Sequence, residues 1–127
     1  MRYAGLNKND MSAAPGVSVT FYTQGCPHHC EGCHNPETWD FNGGKEFTGD
    51  TMAEIIIALT ANGINRTLCI MGGEPLCDEN AFLTYFVIKE IKDKMLKIMI
   101  GIINLTILVF LYSTTTSPNE ASYNASF

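Results

Sequence analysis

Apolar and polar positions along the chain fall into short segments with different periods. Ser18–Thr23 is rich in β-branched and aromatic residues and is stopped by Gly25, which predicts a strand. Residues 26–42 are crowded with Pro, Gly, His and Asn and predict a loop, and loops of that length usually carry function. Thr51 with Glu54 three residues on has the form of a capping box, and Met52, Ile55, Ile56 and Leu59 follow at helical spacing until Gly63. The apolar run 67–71, ended by Gly72 and Gly73, has the length of a buried strand. Asn80 is placed to cap a second helix, in which Phe82, Phe86 and Lys89 alternate with Leu83, Val87 and Ile91 around a broad apolar stripe to about Lys94.

This order of strand, loop, helix, strand, loop, helix is the signature of βαβ units and a parallel sheet. Both loops leave the C-terminal ends of strands, the edge on which sites are assembled in such sheets, so they are expected to face each other. Residues 98–127 behave differently, because Glu120 is their only charged residue and an apolar run, 98–112, gives way to a Ser-, Thr- and Asn-rich ending. Gly101, Asn104 and Thr106 interrupt that run and it falls short of the roughly 20 residues a bilayer needs, so it reads as one or two buried strands, with 114–127 as a frayed end. Residues 104–106 and 124–126 match glycosylation sequons, which carry no meaning without secretion.

A length of 127 residues predicts one domain with one site. Hydrophobic residues at 46% and charged residues at 17% supply a packed core and argue against a disordered chain. Eight basic against 13 acidic residues, a net charge of −5, lack the surplus on which phosphate-backbone binding depends, so nucleic acid is not an expected partner. Residues 1–10 are mixed and polar rather than a basic segment followed by an apolar one, so no secretory signal is expected. Five cysteines, three of them crowded into Cys26, Cys30 and Cys33, do not make a disulfide framework; ligand thiols in a reducing cytoplasm fit better.

Cys26-Pro27-His28-His29-Cys30-Glu31-Gly32-Cys33 spells C-x-x-x-C-x-x-C. Three thiolates on one loop can converge on a soft metal centre and leave a fourth position unfilled. Spacing alone leaves two readings: an iron–sulfur cluster with an open position, or a Cys3His zinc knuckle closed by His28, His29 or His34. Met71-Gly72-Gly73-Glu74-Pro75 favours the first, since two glycines after a buried strand let backbone groups approach a ligand and a zinc knuckle needs no such turn. Cys69 reads as a small core residue, Trp39 and Phe41 as packing that folds the loop back on the sheet, and His28 and His29 as exposed loop residues.

The cysteine spacing with the downstream Gly-Gly-Glu-Pro resembles the radical S-adenosylmethionine superfamily. Residues 14–17 (Ala-Pro-Gly-Val), the QGCPHHCEGC loop and the following His34-Asn35-Pro36-Glu37-Thr38-Trp39 are similar to the activating proteins of anaerobic ribonucleotide reductase, over residues 1–94. The resemblance implies an α/β fold, an incomplete (partial) β/α barrel of the radical-SAM type with a parallel sheet, with residues 1–97 as its core and 98–127 as an atypical tail. It implies that Cys26, Cys30 and Cys33 bind three irons of a 4Fe-4S cluster while the amino and carboxylate groups of S-adenosylmethionine chelate the fourth. Gly32 and His34, flanking Cys33, would lie along that cofactor. Gly72 and Gly73 would present backbone groups to it, and Glu74 and Pro75 would hold the turn. No side chain is implied as a catalyst, because the cofactor does the difficult chemistry. One electron, from a donor such as flavodoxin or ferredoxin, would cleave S-adenosylmethionine, and the resulting radical would take hydrogen from a glycine on the large subunit of anaerobic ribonucleoside-triphosphate reductase. Competing readings are an activase of another glycyl radical enzyme, such as pyruvate formate-lyase, and a non-catalytic zinc module. Two features depart from the pattern: Met71 stands where the family more often has a small hydroxyl residue, and the tail has the abrupt composition change expected of a frameshift or premature stop.

Overall fold

The computed structural model describes the backbone of residues 1–116 and the side chains of residues 1–97. Four strands, β1 (Arg2–Asp10), β2 (Ser18–Thr23), β3 (Lys45–Glu46) and β4 (Thr67–Gly72), form one sheet in the order β3-β1-β2-β4. Helix α1 (Gly49–Thr60) links β3 to β4, and α2 (Asp78–Thr116) follows β4. The parallel pairing expected from the βαβ pattern holds for β2 and β4, in register from Ser18 against Thr67 to Thr23 against Gly72. The sheet as a whole is mixed rather than parallel, since β1 runs antiparallel to both β2 and β3. Two compact units divide after Lys89, and every strand, α1 and the first turns of α2 belong to the first.

β2 is the central strand, and five of its six residues are buried because both faces are covered. Phe21 is wholly inaccessible, stacks on Tyr3 at 5.5 Å between ring centroids and meets the edge of Phe47 at 5.7 Å. From α1 the apolar positions 52, 55, 58 and 59 turn inward, and from α2 Leu83 and Val87 do so. Burying a side chain such as Phe21 or Ile55 contributes about 1.5–3 kcal/mol.

Several boundaries differ from the sequence reading, each for a physical reason. Residues 2–10, within a stretch read as merely mixed and polar, form β1: beyond Tyr3 it is an edge strand without β3 beside it, and Asn7, Lys8 and Asn9 are exposed, the polar composition that edge strands favour. The capping box of α1 is Thr48 with Thr51, whose hydroxyl and amide groups exchange contacts at 3.4 Å, and Glu54 instead reaches Lys8 Nζ at 2.5 Å. α1 ends at Thr60 and the chain turns through a 3-10 turn, Ala61–Gly63, in which Asn62 and Gly63 both have positive φ. α2 begins at Asp78, two residues before the expected cap Asn80.

The largest correction concerns 98–112, expected as strands: α2 continues through it to Thr116. Periodicity cannot separate a short buried strand from a helix, and a helix already nucleated at Asp78 propagates cheaply where no proline intervenes before Pro118. Among the described residues no helix is long and apolar enough to cross a membrane. Residues 117–127, with most of the segment expected to fray, lie outside the described residues.

Candidate metal centre

β2 and β4 end side by side, Thr23 against Gly72, so the cysteine loop and the Gly-Gly-Glu-Pro turn leave the same end of the sheet, as the βαβ pattern predicts. The cysteine loop is closed at its base. Gly25 N–H donates to Thr38 O at 2.7 Å and Cys26 N–H to Trp39 O at 3.1 Å. Buried Gln24 donates its side-chain amide to Glu37 O and Asp40 O at 3.2 and 2.7 Å. Gly25 has φ 100°, and a β-carbon there would fall 2.1 Å from Phe41 Cδ1, so Phe41 folds the loop back as expected. Trp39 holds the loop through the His29 ring, 4.8 Å away between centroids.

The turn after β4 is stitched to that base. Gly73 N–H donates to Thr23 O and Glu74 N–H to Gly25 O, both at 2.9 Å. A β-carbon on Gly73 would sit 2.2 Å from Gly25 O, and one on Gly72, whose φ is 105°, would sit 2.9 Å from Thr23 O. These two glycines therefore serve a backbone-to-backbone seam between the loops, a role that sequence reasoning missed. Glu74 Oε1 accepts from Leu76 N–H at 3.0 Å, its Oε2 lies 3.5 Å from His28 Nε2, and Pro75 O accepts from the Thr84 hydroxyl at 2.7 Å.

Asn80, expected as a helix cap, serves the site instead. Its buried amide Nδ2 donates to Gly25 O at 2.9 Å and to Glu74 O at 3.0 Å, so it fastens both loops instead of capping its helix. Glycines closing two neighbouring parallel strands, Gly25 and Gly72–Gly73, were the available signal of such close approach.

Cys26 and Cys33 are half-buried and Cys30 is exposed. His28, His29 and His34 are exposed too, as is Gly32, whose φ is 72°. Between Pro27 and His34 one backbone hydrogen bond, Cys33 N–H to Cys30 O at 3.2 Å, is the only one among the described residues. Cys69 is half-buried on β4 opposite Thr20. Burial pushes the Cys77 thiol up from its ordinary value, so Cys77 stays protonated beside the turn. All five thiols are free, and among the described residues no three His, Cys, Asp or Glu side chains are gathered closely enough to hold a metal ion. The donor set nonetheless fits a thiolate-bound cluster: three unpaired thiols stand on one loop whose base is fixed and whose crown is almost free of its own hydrogen bonds.

The family model of the 4Fe-4S single cluster domain matches residues 13–117. The chain belongs to that family. Its match runs beyond residue 94, into the segment whose composition changes. The family supports an iron–sulfur cofactor. Similar curated proteins are named anaerobic ribonucleoside-triphosphate reductase-activating protein. The one from Salmonella typhi is 37% identical over 81 residues, covering 63% of this chain and 53% of the relative. The one from Enterobacteria phage T4 is 36% identical over 80 residues, covering 63% and 51%. The one from Vibrio cholerae is 30% identical over 95 residues, covering 74% and 61%. The chain spans about half the length of the first two of these relatives. No solved structure matches it.

Proposed function

We propose that the chain activates anaerobic ribonucleoside-triphosphate reductase by generating a glycyl radical on its large subunit, with Cys26, Cys30 and Cys33 holding a 4Fe-4S cluster and S-adenosylmethionine bound beside it. The observation that carries this reading is the seam at the end of β2 and β4: the residue before Cys26 and the residue after Gly73 share a hydrogen bond, so the cysteine loop and the turn form one wall. The names of the relatives supply the reductase as the partner. Held by Cys26, Cys30 and Cys33, a cluster would supply one-electron chemistry for the reductive cleavage of S-adenosylmethionine, with the electron coming from a donor such as flavodoxin or ferredoxin.

The chain's own residues bind and orient. Three thiolates fill three positions, and none of them is spare. Gly32 and His34 flank Cys33 in the exposed crown, where a cofactor can reach them. The seam uses the backbone of Gly73 and Glu74, so the face the turn offers to S-adenosylmethionine is the one away from Gly25, with the Glu74 carboxylate at its rim between Leu76 N–H and His28. The reading takes the β2–α1–β4 crossover, the one parallel step of an otherwise mixed sheet, as part of a partial β/α barrel, and a reducing cytoplasm suits three unpaired thiols in one loop.

Anaerobic loading of the purified chain with iron and sulfide tests the reading. We expect bound iron with acid-labile sulfide, cleavage of S-adenosylmethionine under a strong reductant, and a glycyl radical on added reductase. Zinc with neither iron nor sulfide would replace the reading by that of a structural knuckle.

A further inference from the structure

We infer that Asn80 is a positioning residue that couples the cysteine loop to the Gly-Gly-Glu-Pro turn, so that the thiols and the turn meet S-adenosylmethionine as one body. The inference deepens the proposed function and rests on it for the identity of the cofactor, though not for the coupling itself.

The Gly25 carbonyl, one residue before Cys26, is the point of convergence. One of its lone pairs accepts from Glu74 N–H at 2.9 Å and the other from Asn80 Nδ2 at 2.9 Å. The second hydrogen of the same amide goes to Glu74 O at 3.0 Å, so one side-chain group spans the two loops. The amide's orientation is settled by this pairing, because the flipped form would set Oδ1 against two carbonyl oxygens. Asn80 is 5% exposed, and its bond to Gly25 O is buried away from bulk water. Its own backbone is held in the first turn of α2, where Asn80 N–H donates to Cys77 O at 3.0 Å. Thr84, one helical turn on, donates to Pro75 O at 2.7 Å and touches only the turn. α2 thus grips the turn twice and the cysteine loop once, and the grip on the cysteine loop is Asn80 alone among its described side chains.

The test uses the full chain and three variants, Asn80→Ala, the volume-matched Asn80→Asp, which lacks the amide hydrogens, and Thr84→Val as the turn-only control. In metal-free protein, amide exchange at Cys26 and Glu74 should rise about tenfold in both Asn80 variants while the amides of β2 keep their rates. Thr84→Val should leave Cys26 unchanged. After loading with iron and sulfide, both Asn80 variants should keep the wild-type iron content but bind S-adenosylmethionine about tenfold more weakly by equilibrium dialysis, with a smaller change on cofactor addition in the electron paramagnetic resonance spectrum of the reduced protein. A rise in exchange spread evenly over the sheet, or Asn80→Asp behaving as wild type, would overturn the inference. If the wild-type chain takes up no iron, the proposed function fails, and the exchange pattern still decides whether Asn80 couples the loops. Should Asn80→Ala not fold, Asn80→Asp carries the same comparison.

Discussion

At its N-terminal end β2 is tied to β1 by a carboxylate: Asp10 accepts from Ser12 N–H and Oγ at 2.8 and 2.7 Å and from the Thr20 hydroxyl at 2.7 Å. At its C-terminal end the bonds join neutral groups, with Gly25, Gly73 and Glu74 paired through their backbones and Asn80 and Gln24 donating amide hydrogens to carbonyls. The bonds to Ser12, followed by that to Thr20, push the Asp10 carboxyl down from 3.8 to about 2, so that end stays charged at every ordinary pH. A cluster held by thiolates is sensitive to any charge that moves nearby. The bonds of the loop base itself join uncharged partners, while the Glu74 carboxylate beside it accepts from Leu76 N–H and lies 3.5 Å from His28 Nε2; the carboxylate that fastens β1 to β2 sits at the far end of the strand.

The largest expected effect comes from breaking the neutral end. Gly73→Val places a branched side chain where Gly25 O already lies 2.2 Å from the β-carbon position, and its neighbour there is backbone, which cannot swing aside. We expect a loss of about 3 kcal/mol in urea unfolding of the metal-free chain, near the upper range for overpacking. Because the displaced group is the peptide before Cys26, iron uptake should fall together with S-adenosylmethionine binding. A Gly73→Val chain that loads iron normally and loses only cofactor affinity would mean that the glycine serves the cofactor directly and that the seam is incidental.

How much of this was readable in the sequence depended on whether the signal was local. β2 and β4 were legible because their side chains are β-branched, aromatic or apolar and their ends are marked by glycine. The iron–sulfur family was legible because Cys26, Cys30 and Cys33 stand in one loop, followed by Gly72 to Pro75 in one turn. Asn80 was misread as a cap because a polar residue near a helix start looks the same whether it bonds its own helix or a carbonyl 55 residues away. The cap of α1 slipped because Thr48, Thr51 and Glu54 offer two overlapping patterns three residues apart, and only the backbone shows which is used. β1 was missed since most of its outer edge faces water and selects polar residues. The purpose of Gly73 depends on Gly25, a relation that exists only once β2 and β4 are paired.

The charged end should give a smaller effect, confined to acid. The unfolded chain binds a proton at Asp10 near 3.8, before the folded chain does at about 2. The contribution of Asp10 is therefore fully present above pH 3.8 and is lost progressively as the pH falls through about 2. Asp10→Asn should lower stability at neutral pH and remove that part of the acid dependence, so the difference between wild type and variant shrinks from about pH 4 down to pH 2. Urea midpoints across that window, with iron uptake measured at neutral pH, test the comparison. A variant that unfolds sooner yet loads iron as wild type does would show that the two ends act separately, and a loss of iron binding in proportion would show that they do not.

The smallest effect on stability is expected where the effect on the site is total. Cys30 is exposed, and the backbone around it has one hydrogen bond of its own, so truncating its thiol removes almost no packing. Cys30→Ala should shift the stability of the metal-free chain by less than about 0.5 kcal/mol, the ordinary range for a surface change. It should nevertheless abolish cluster assembly, because a cluster held by three protein thiolates has none to lose. Cys69→Ala, on β4 and away from both loops, should keep the full iron content. The pairing of Gly73→Val with Cys30→Ala then separates frame from ligand: the first lowers the unfolding midpoint and iron together, the second removes iron at an unchanged midpoint. Full iron and sulfide in Cys30→Ala would take Cys30 out of the ligand set. A fall in its midpoint as large as that of Gly73→Val would instead make the crown part of the frame, and the division between a fixed base and a loosely held crown would have to be given up.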